Sequence, residues 1–120
     1  MKETGYDQST ISQLIHTKWA GKTVHFVQKI DSTNNWAKDL AKAGAPHGAL
    51  AVAEFQTAGK GRLGRSWKAE EGSSVMMSLV LKPDFSPECA PMLTLVMGLS
   101  IAQAVEMLGI PVSIKWPNDV

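Results

Sequence analysis

The sequence is almost without cysteine: Cys89 is the only one in 120 residues. A single thiol excludes an internal disulfide and a cysteine-built zinc site, and it fits a reducing cytoplasm. A dominant charge is also missing. Twelve Lys and Arg stand against eleven Asp and Glu, for a net charge of +1. A general polyanion binder is therefore not expected, and nucleic acid would have to meet a local patch. The three histidines, His16, His25 and His47, are dispersed without ligand spacing, which argues against a metal site built on them. No uncharged run reaches the ~20 residues of a membrane span. The longest, residues 89–105, contains Pro91, Thr94, Ser100 and Gln103 and reads as a buried helix. The first ten residues, MKETGYDQST, hold no apolar core of a secretory signal. The expectation is one cytoplasmic domain, 1–120, with a modest core and no membrane partner.

Hydrophobic patterning then orders the chain. Ser9–Lys18 predicts a short helix with Ile11, Leu14 and Ile15 on one face. TVHFVQKI alternates Val24, Phe26, Gln28 and Ile30 against His25, Val27 and Lys29, as a strand does. In DSTNNWAKDLAKAG, Ser32 or Thr33 suits an N-cap, Trp36 and Leu40 lie four apart, and Gly44 suits a C-terminal stop. GALAVAEF and SSVMMSLVLK predict two more strands. Pro91–Leu108 predicts a largely buried helix that stops at Gly109, and VSIKW a last short strand. The 56–73 connection joins two strands directly. That favours an α+β domain, a mixed, largely antiparallel sheet with helices on one side, over a doubly wound parallel sheet.

Within that connection, Gly59-Lys60-Gly61-Arg62-Leu63-Gly64 is formally a G-x-G-x-x-G. A dinucleotide fingerprint needs a helix after its glycines, whose N-terminus meets the pyrophosphate. Here RSWKAEEGSSVMMSLVL follows, with no 3.6-residue apolar period, so that function is rejected. A P-loop also fails, because Gly61 stands where Ser or Thr is required. What is present is a cationic turn. Lys60, Arg62, Arg65 and Lys68 crowd a stretch with no acid between Glu54 and Glu70. Glycines beside Lys60 let backbone N–H groups converge on an anion, and the two guanidinium forks suit phosphate or carboxylate. Trp67 offers a flat face nearby. A solvated basic hairpin loop is the plain alternative.

Two further clusters stand out. Ser32, Thr33, Asn34 and Asn35, at a strand end and helix start, can cap the helix or hold a small polar or anionic group. In KWPND, residues 115–119, Pro117 ends a strand. Lys115 suits a phosphate, and Asp119 suits Mg²⁺ or an orienting bond to lysine. A turn built on Asn118 and Asp119 is the plain alternative. Glu54 is open to a functional role or a strand-end salt bridge.

DSTNNWAK, AEFQTAGKGRLGRSW and IKWPNDV, in this order and spacing, resemble the catalytic domain of biotin protein ligases (biotin–[acetyl-CoA-carboxylase] ligases) from about residue 22 onward. The resemblance implies a fold related to class II aminoacyl-tRNA synthetase and lipoate ligase domains. It implies that biotin's carboxylate attacks the α-phosphate of ATP, with Mg²⁺, giving biotinyl-5′-AMP and pyrophosphate. A lysine of the biotin carboxyl carrier protein of acetyl-CoA carboxylase then takes the biotinyl group. Carried over by position, Ser32, Thr33, Asn34, Gln56, Lys60, Gly61 and Arg62 match the biotin-contacting set. Arg65, Trp67, Lys115, Asn118 and Asp119 match the ATP side, Asp119 also being the metal candidate. Lys60, Arg62 and Lys115 are the catalytic candidates. Lys60 stands where arginine is more usual, keeping charge but losing a bidentate fork.

The family pattern continues past KWPND into a strand with another lysine and then a small β-barrel, so the sheet is expected to be incomplete at its C-terminus and the chain weak or inactive alone. An exposed sheet edge leaves a homodimer open. With no N-terminal DNA-binding domain in view, the resemblance is to ligases that are not repressors. The alternatives are a lipoate or octanoate ligase or transferase of the same superfamily, and a nucleic-acid module in which Trp67 stacks on a base.

Overall fold

The computed structural model describes residues 7–60, 66–67 and 74–115, with backbone only at Lys60, Ser66 and Trp67. They fall into two compact units divided after Pro83.

In the first unit, helix α1 (Gln8–Leu14) opens on Asp7, whose carboxylate accepts the Thr10 N–H at 2.8 Å. The helix ends four residues earlier than its sequence predicts. Ile15 turns extended and packs over Gly21, where a Cβ would lie 2.9 Å from Ile15 Cδ1. Ile11 and Ile15 are half-buried, whereas Leu14 is exposed. The backbone hydrogen bond from Thr10, its largest cause, holds the Asp7 carboxyl below its ordinary 3.8. A depressed carboxylate supports its helix above the unfolded value, and that support is lost as pH falls through the lower folded value. The Thr10 amide is therefore expected to lose exchange protection only below about pH 4, while the amides of the central strand keep theirs.

Strand β1 (Val24–Ile30), helix α2 (Thr33–Lys42) and strand β2 (Leu50–Gln56) form a β-α-β unit. Its strands are parallel, from Val24 opposite Leu50 to Ile30 opposite Gln56. Ser32 caps α2, and the chain leaves it through Gly44 at φ +99°, the stop the sequence predicts. β2 is central and pairs antiparallel with β5 (Met76–Leu79), Ala53 opposite Met76 and Leu50 opposite Leu79. Small residues on β2 let α2 lie close. Ala37, Ala49, Ala51 and Val80 form a buried cluster, with Trp36, Leu40, Ala41 and Ala45 packed on it. Trp36 and Leu40 share the inward stripe that their spacing predicts.

Between β2 and β5, β3 (Gly59–Lys60) pairs antiparallel with β4 (Ser66–Trp67), Gly59 opposite Trp67 and Lys60 opposite Ser66. The glycine stretch thus begins in a β-ladder, a pairing inside the 56–73 connection that the sequence, read as a loop there, did not predict.

The second unit begins with a 3₁₀ turn (Pro87–Cys89) and helix α3 (Pro91–Glu106), and Gly109 lies beyond it at φ +81°. Two expectations change here. α3 is not largely buried: only Gly98 and Ala102 are, while Met92, Val96 and Leu99 are more than half exposed. Apolar composition says that a helix face needs cover, not that these residues supply it. Pro87–Glu106, 20 residues of mean hydropathy 1.4, is also long and apolar enough to cross a membrane by length and composition alone. VSIKW is not a strand over residues 112–114; among the described residues of that stretch only Lys115 makes a bridge. β structure is made by pairing, and propensity without a neighbouring ladder does not produce it.

Candidate functional site

β1 ends at Ile30, and the next residue organises the start of α2. Asp31 Oδ1 accepts the Ser32 N–H at 2.6 Å, and Oδ2 accepts from Asn35 Nδ2 at 3.2 Å. Ser32 Oγ then accepts the Asn34 and Asn35 N–H groups at 3.1 and 3.4 Å. The hydroxyl satisfies two of the four amide donors that a helix start leaves over. Ser32→Ala is expected to cost about 1 kcal/mol, read as a Tm lowered by about 4 °C.

Thr33 is only 3% exposed and ties three elements together. Its N–H and Oγ1 both donate to Gln56 Oε1, at 2.8 and 3.0 Å, linking α2 to the end of β2. Its Oγ1 also shares a hydrogen bond with Ser78 Oγ on β5 at 2.9 Å, and Ser78 Oγ reaches Asn34 Oδ1 at 3.4 Å. Parallel pairing of β1 with β2 places both C-terminal strand ends at one edge. Antiparallel pairing brings the beginning of β5 to the same edge.

There a cleft of about 360 Å³ opens, within the range of small-molecule sites. Ser32 to Asn35, Lys38 and Gln56 form its polar side, and Val75, Met76 and Met77 an apolar one beside Ser78. Such a cleft can orient a ligand through its polar atoms while burying an apolar body. Just past β2, the Thr57 N–H donates to Ile30 O at 2.9 Å and the Ala58 N–H to Asp31 O at 2.7 Å. The glycine-rich stretch therefore starts immediately beside the loop that carries Ser32.

Four sequence-predicted residues, Ser32, Thr33, Asn34 and Gln56, meet in this cleft. Lys60 and Trp67 are placed by backbone alone, in β3 and β4. Gly61, Arg62, Arg65, Asn118 and Asp119 lie outside the described residues. Lys115 is exposed and belongs to the second unit. Sequence reasoning missed Ser78, Lys38 and Asp31. Ser78 had no motif to mark it; only the register, which sets it opposite Ala51, brings its hydroxyl to Thr33. Lys38 could have been found, since it lies one helical turn beyond Asn34 and Asn35. Glu54, open from sequence to a functional role or a strand-end salt bridge, is buried, and its Oε2 has no hydrogen-bond partner among the described residues, so the salt bridge is not seen there. Among the described residues no group of three His, Cys, Asp or Glu could hold a metal ion.

A short mixed sheet with a polar cleft at its parallel-strand edge makes the first unit an α+β fold with a cavity of small-molecule size. Residues 12–120 match the biotin/lipoate A/B protein ligase family, and the chain belongs to that family. It is 40% identical over 114 residues to the bifunctional ligase/repressor BirA of Bacillus spizizenii, covering 94% of this chain and 35% of that protein. It is 32% identical to a biotin–[acetyl-CoA-carboxylase] ligase of Mycobacterium tuberculosis, covering 95% of this chain and 45% of the relative. Among solved structures it is similar to the biotin protein ligase of Aquifex aeolicus in complex with biotin and ATP. That match has a TM-score of 0.64 and 37% identity, and covers 81% of this chain and 40% of the other. The chain thus spans between about a third and a half of the length of these relatives. The mixed α+β architecture expected from sequence is the architecture observed.

Proposed function

We propose that this chain is the first part of the catalytic domain of an ATP-dependent biotin protein ligase. The observation that carries the proposal is the meeting of Ser32, Thr33, Asn34 and Gln56 in one cleft, with the glycine-arginine stretch starting beside it through the Ala58–Asp31 bond. In this function the polar side holds biotin's ring amide and carboxylate groups, and Val75, Met76 and Met77 accept its apolar chain.

Biotin's carboxylate oxygen attacks the α-phosphorus of ATP. An O–P bond forms as the α–β bridging bond breaks, and pyrophosphate leaves. Lys60, Arg62 and Arg65 supply positive charge against the charge that builds on the phosphate, Trp67 packs on adenine, and Lys115 and Asn118 serve the phosphate side. In the second step a carrier-protein lysine amine attacks the acyl carbon of the mixed anhydride. It forms the amide and releases AMP and a proton. Water exclusion matters here, because an activated acyl group hydrolyses if exposed. Asp119 is the proposed Mg²⁺ residue, and no step is assigned to the metal, for which the described residues offer no cluster.

Biotin is favoured over lipoate because the relatives carrying the similarity are named for biotin. The carrier domain of a biotin-dependent carboxylase is the proposed acceptor. The chain alone is expected to show little biotin-dependent exchange of pyrophosphate into ATP.

A calorimetric titration with a non-hydrolysable biotinyl-adenylate analogue, with its lipoyl counterpart as control, tests this function. Selective biotinyl binding, weakened at least tenfold by Arg62→Gly, is the expected result. Selective lipoyl binding, or binding insensitive to both Gln56 and Arg62, would overturn it.

A further inference from the structure

The hydrogen bonds behind the cleft run in one direction, and a backbone amide sets it. The Thr33 N–H lies 2.8 Å from Gln56 Oε1. A main-chain N–H only donates, so the Gln56 carboxamide has to offer its oxygen there; turned over, it would set donor against donor. The Thr33 hydroxyl meets the same oxygen at 3.0 Å. A carbonyl oxygen only accepts, so the one hydroxyl hydrogen of Thr33 is committed to Gln56. The 2.9 Å contact between Thr33 Oγ1 and Ser78 Oγ then has one donor left, the Ser78 hydroxyl.

The reverse order, Thr33 to Ser78 and Ser78 to Asn34, is the other way to place the two hydrogens. It would exchange the 3.0 Å bond to Gln56 for a 3.4 Å contact with Asn34 Oδ1, longer than a good hydroxyl bond. It would also leave Thr33 Oγ1 and Gln56 Oε1 3.0 Å apart with no hydrogen between them. The distances therefore select the order Ser78, Thr33, Gln56. Thr33 is almost fully buried, so water is a poor substitute for its partners, and bonds linked in such a chain strengthen one another.

We propose that Ser78 is a positioning residue of the cleft. As the first donor of the chain it holds the Thr33 hydroxyl on Gln56, and so keeps the Gln56 carboxamide turned with Oε1 on Thr33 and Nε2 left as the arm for a ligand. Ser78 lies on β5 and reaches Thr33 only through the register that sets it opposite Ala51. Three elements, α2, β2 and β5, thereby agree on which way one lining amide faces. Without Ser78 the Thr33 oxygen has no donor, its own bond to Gln56 weakens, and the backbone amide is left as the main hold on the carboxamide. The chain of bonds is independent of the ligand, whereas its effect on binding rests on the cleft being the ligand site.

Two measurements on the full chain test this, the first without ligand. Ser78→Ala is expected to speed hydrogen exchange of the Thr33 amide about fivefold while β1 amides are unchanged. Ser78→Thr, which keeps the hydroxyl, is expected to restore the protection. In titration with the biotinyl-adenylate analogue, Ser78→Ala and Thr33→Val are each expected to weaken binding about tenfold, and the double variant no more than the weaker-binding single. Effects that multiply in the double variant would place Ser78 on the ligand itself and overturn the proposal. Thr33 exchange unmoved by Ser78→Ala, or no recovery with Ser78→Thr, would overturn it as well. Should wild type not bind the analogue, the reading of the cleft fails, and the exchange data alone decide for or against the chain of bonds. They also decide if Thr33→Val does not fold.

Discussion

Gln56→Leu is expected to abolish measurable ligand binding by the cleft and to destabilise the first unit. Leucine nearly fills the volume but removes Oε1, which accepts both the N–H and the Oγ1 hydrogen of Thr33. Thr33 is almost fully buried, so the lost partner leaves a buried amide without an acceptor, a cost of about 1–3 kcal/mol. The hydroxyl can still turn to Ser78 Oγ, which keeps the cost toward the lower end. Binding suffers twice, because the variant loses a polar lining atom and frees the α2 start from β2. Affinity for the biotinyl-adenylate analogue is expected to fall at least ~100-fold, equivalent to about 2.7 kcal/mol. Gln56→Glu is the control. It keeps an acceptor for Thr33, so the fold should hold, while a negative charge in the cleft opposes an anionic ligand. Calorimetry together with thermal unfolding separates the two variants. Wild-type affinity in Gln56→Leu would mean that the cleft is not the ligand site.

The second large effect lies away from the cleft. Gly48 has φ +90°, and a Cβ there would lie 2.6 Å from the Trp19 carbonyl oxygen and 2.9 Å from its Cε3. The oxygen is backbone, so no side-chain rotation relieves the contact. The turn is also pinned from several directions. The Gly21 N–H donates to Gly48 O, and the Gly48 N–H to Val80 O, both at 2.7 Å. Trp19 stacks on His47 with ring centroids 4.6 Å apart, while His47 Nδ1 accepts the Lys82 N–H at 2.8 Å. Gly48→Ala therefore meets both an unfavourable dihedral and an immovable clash, and about 3 kcal/mol or more of stability is expected to be lost. The corresponding fall in Tm is about 10 °C or more. Gly44→Ala calibrates the dihedral alone. Its φ is +99°, and nothing lies within 4 Å of its Cβ position, so about 1–2 kcal/mol is expected. Equal losses at the two sites in chemical denaturation would show that the Trp19 contact is not what constrains Gly48.

Local chemistry determined a good deal of this protein. Ser32 as the cap of α2, Gly44 as its exit, and Trp36 and Leu40 on its inward face all follow from short-range rules. Side-chain period, capping and turn chemistry need no distant partner to act. Ser32, Thr33, Asn34 and Gln56 were also legible as a set, because the family pattern carries them in fixed order.

Tertiary structure decided the rest. Gln56 and Ser78 meet Thr33 only because β1 and β2 run parallel and β5 returns antiparallel, a register that no single segment encodes. α1 is cut short at Ile15, which packs over Gly21 instead of continuing the helix. VSIKW has strand composition but no ladder over its first residues, and α3 has core composition while most of its side chains remain exposed. Propensity and hydropathy state what a segment can become; pairing and cover, which come from other segments, decide whether it does.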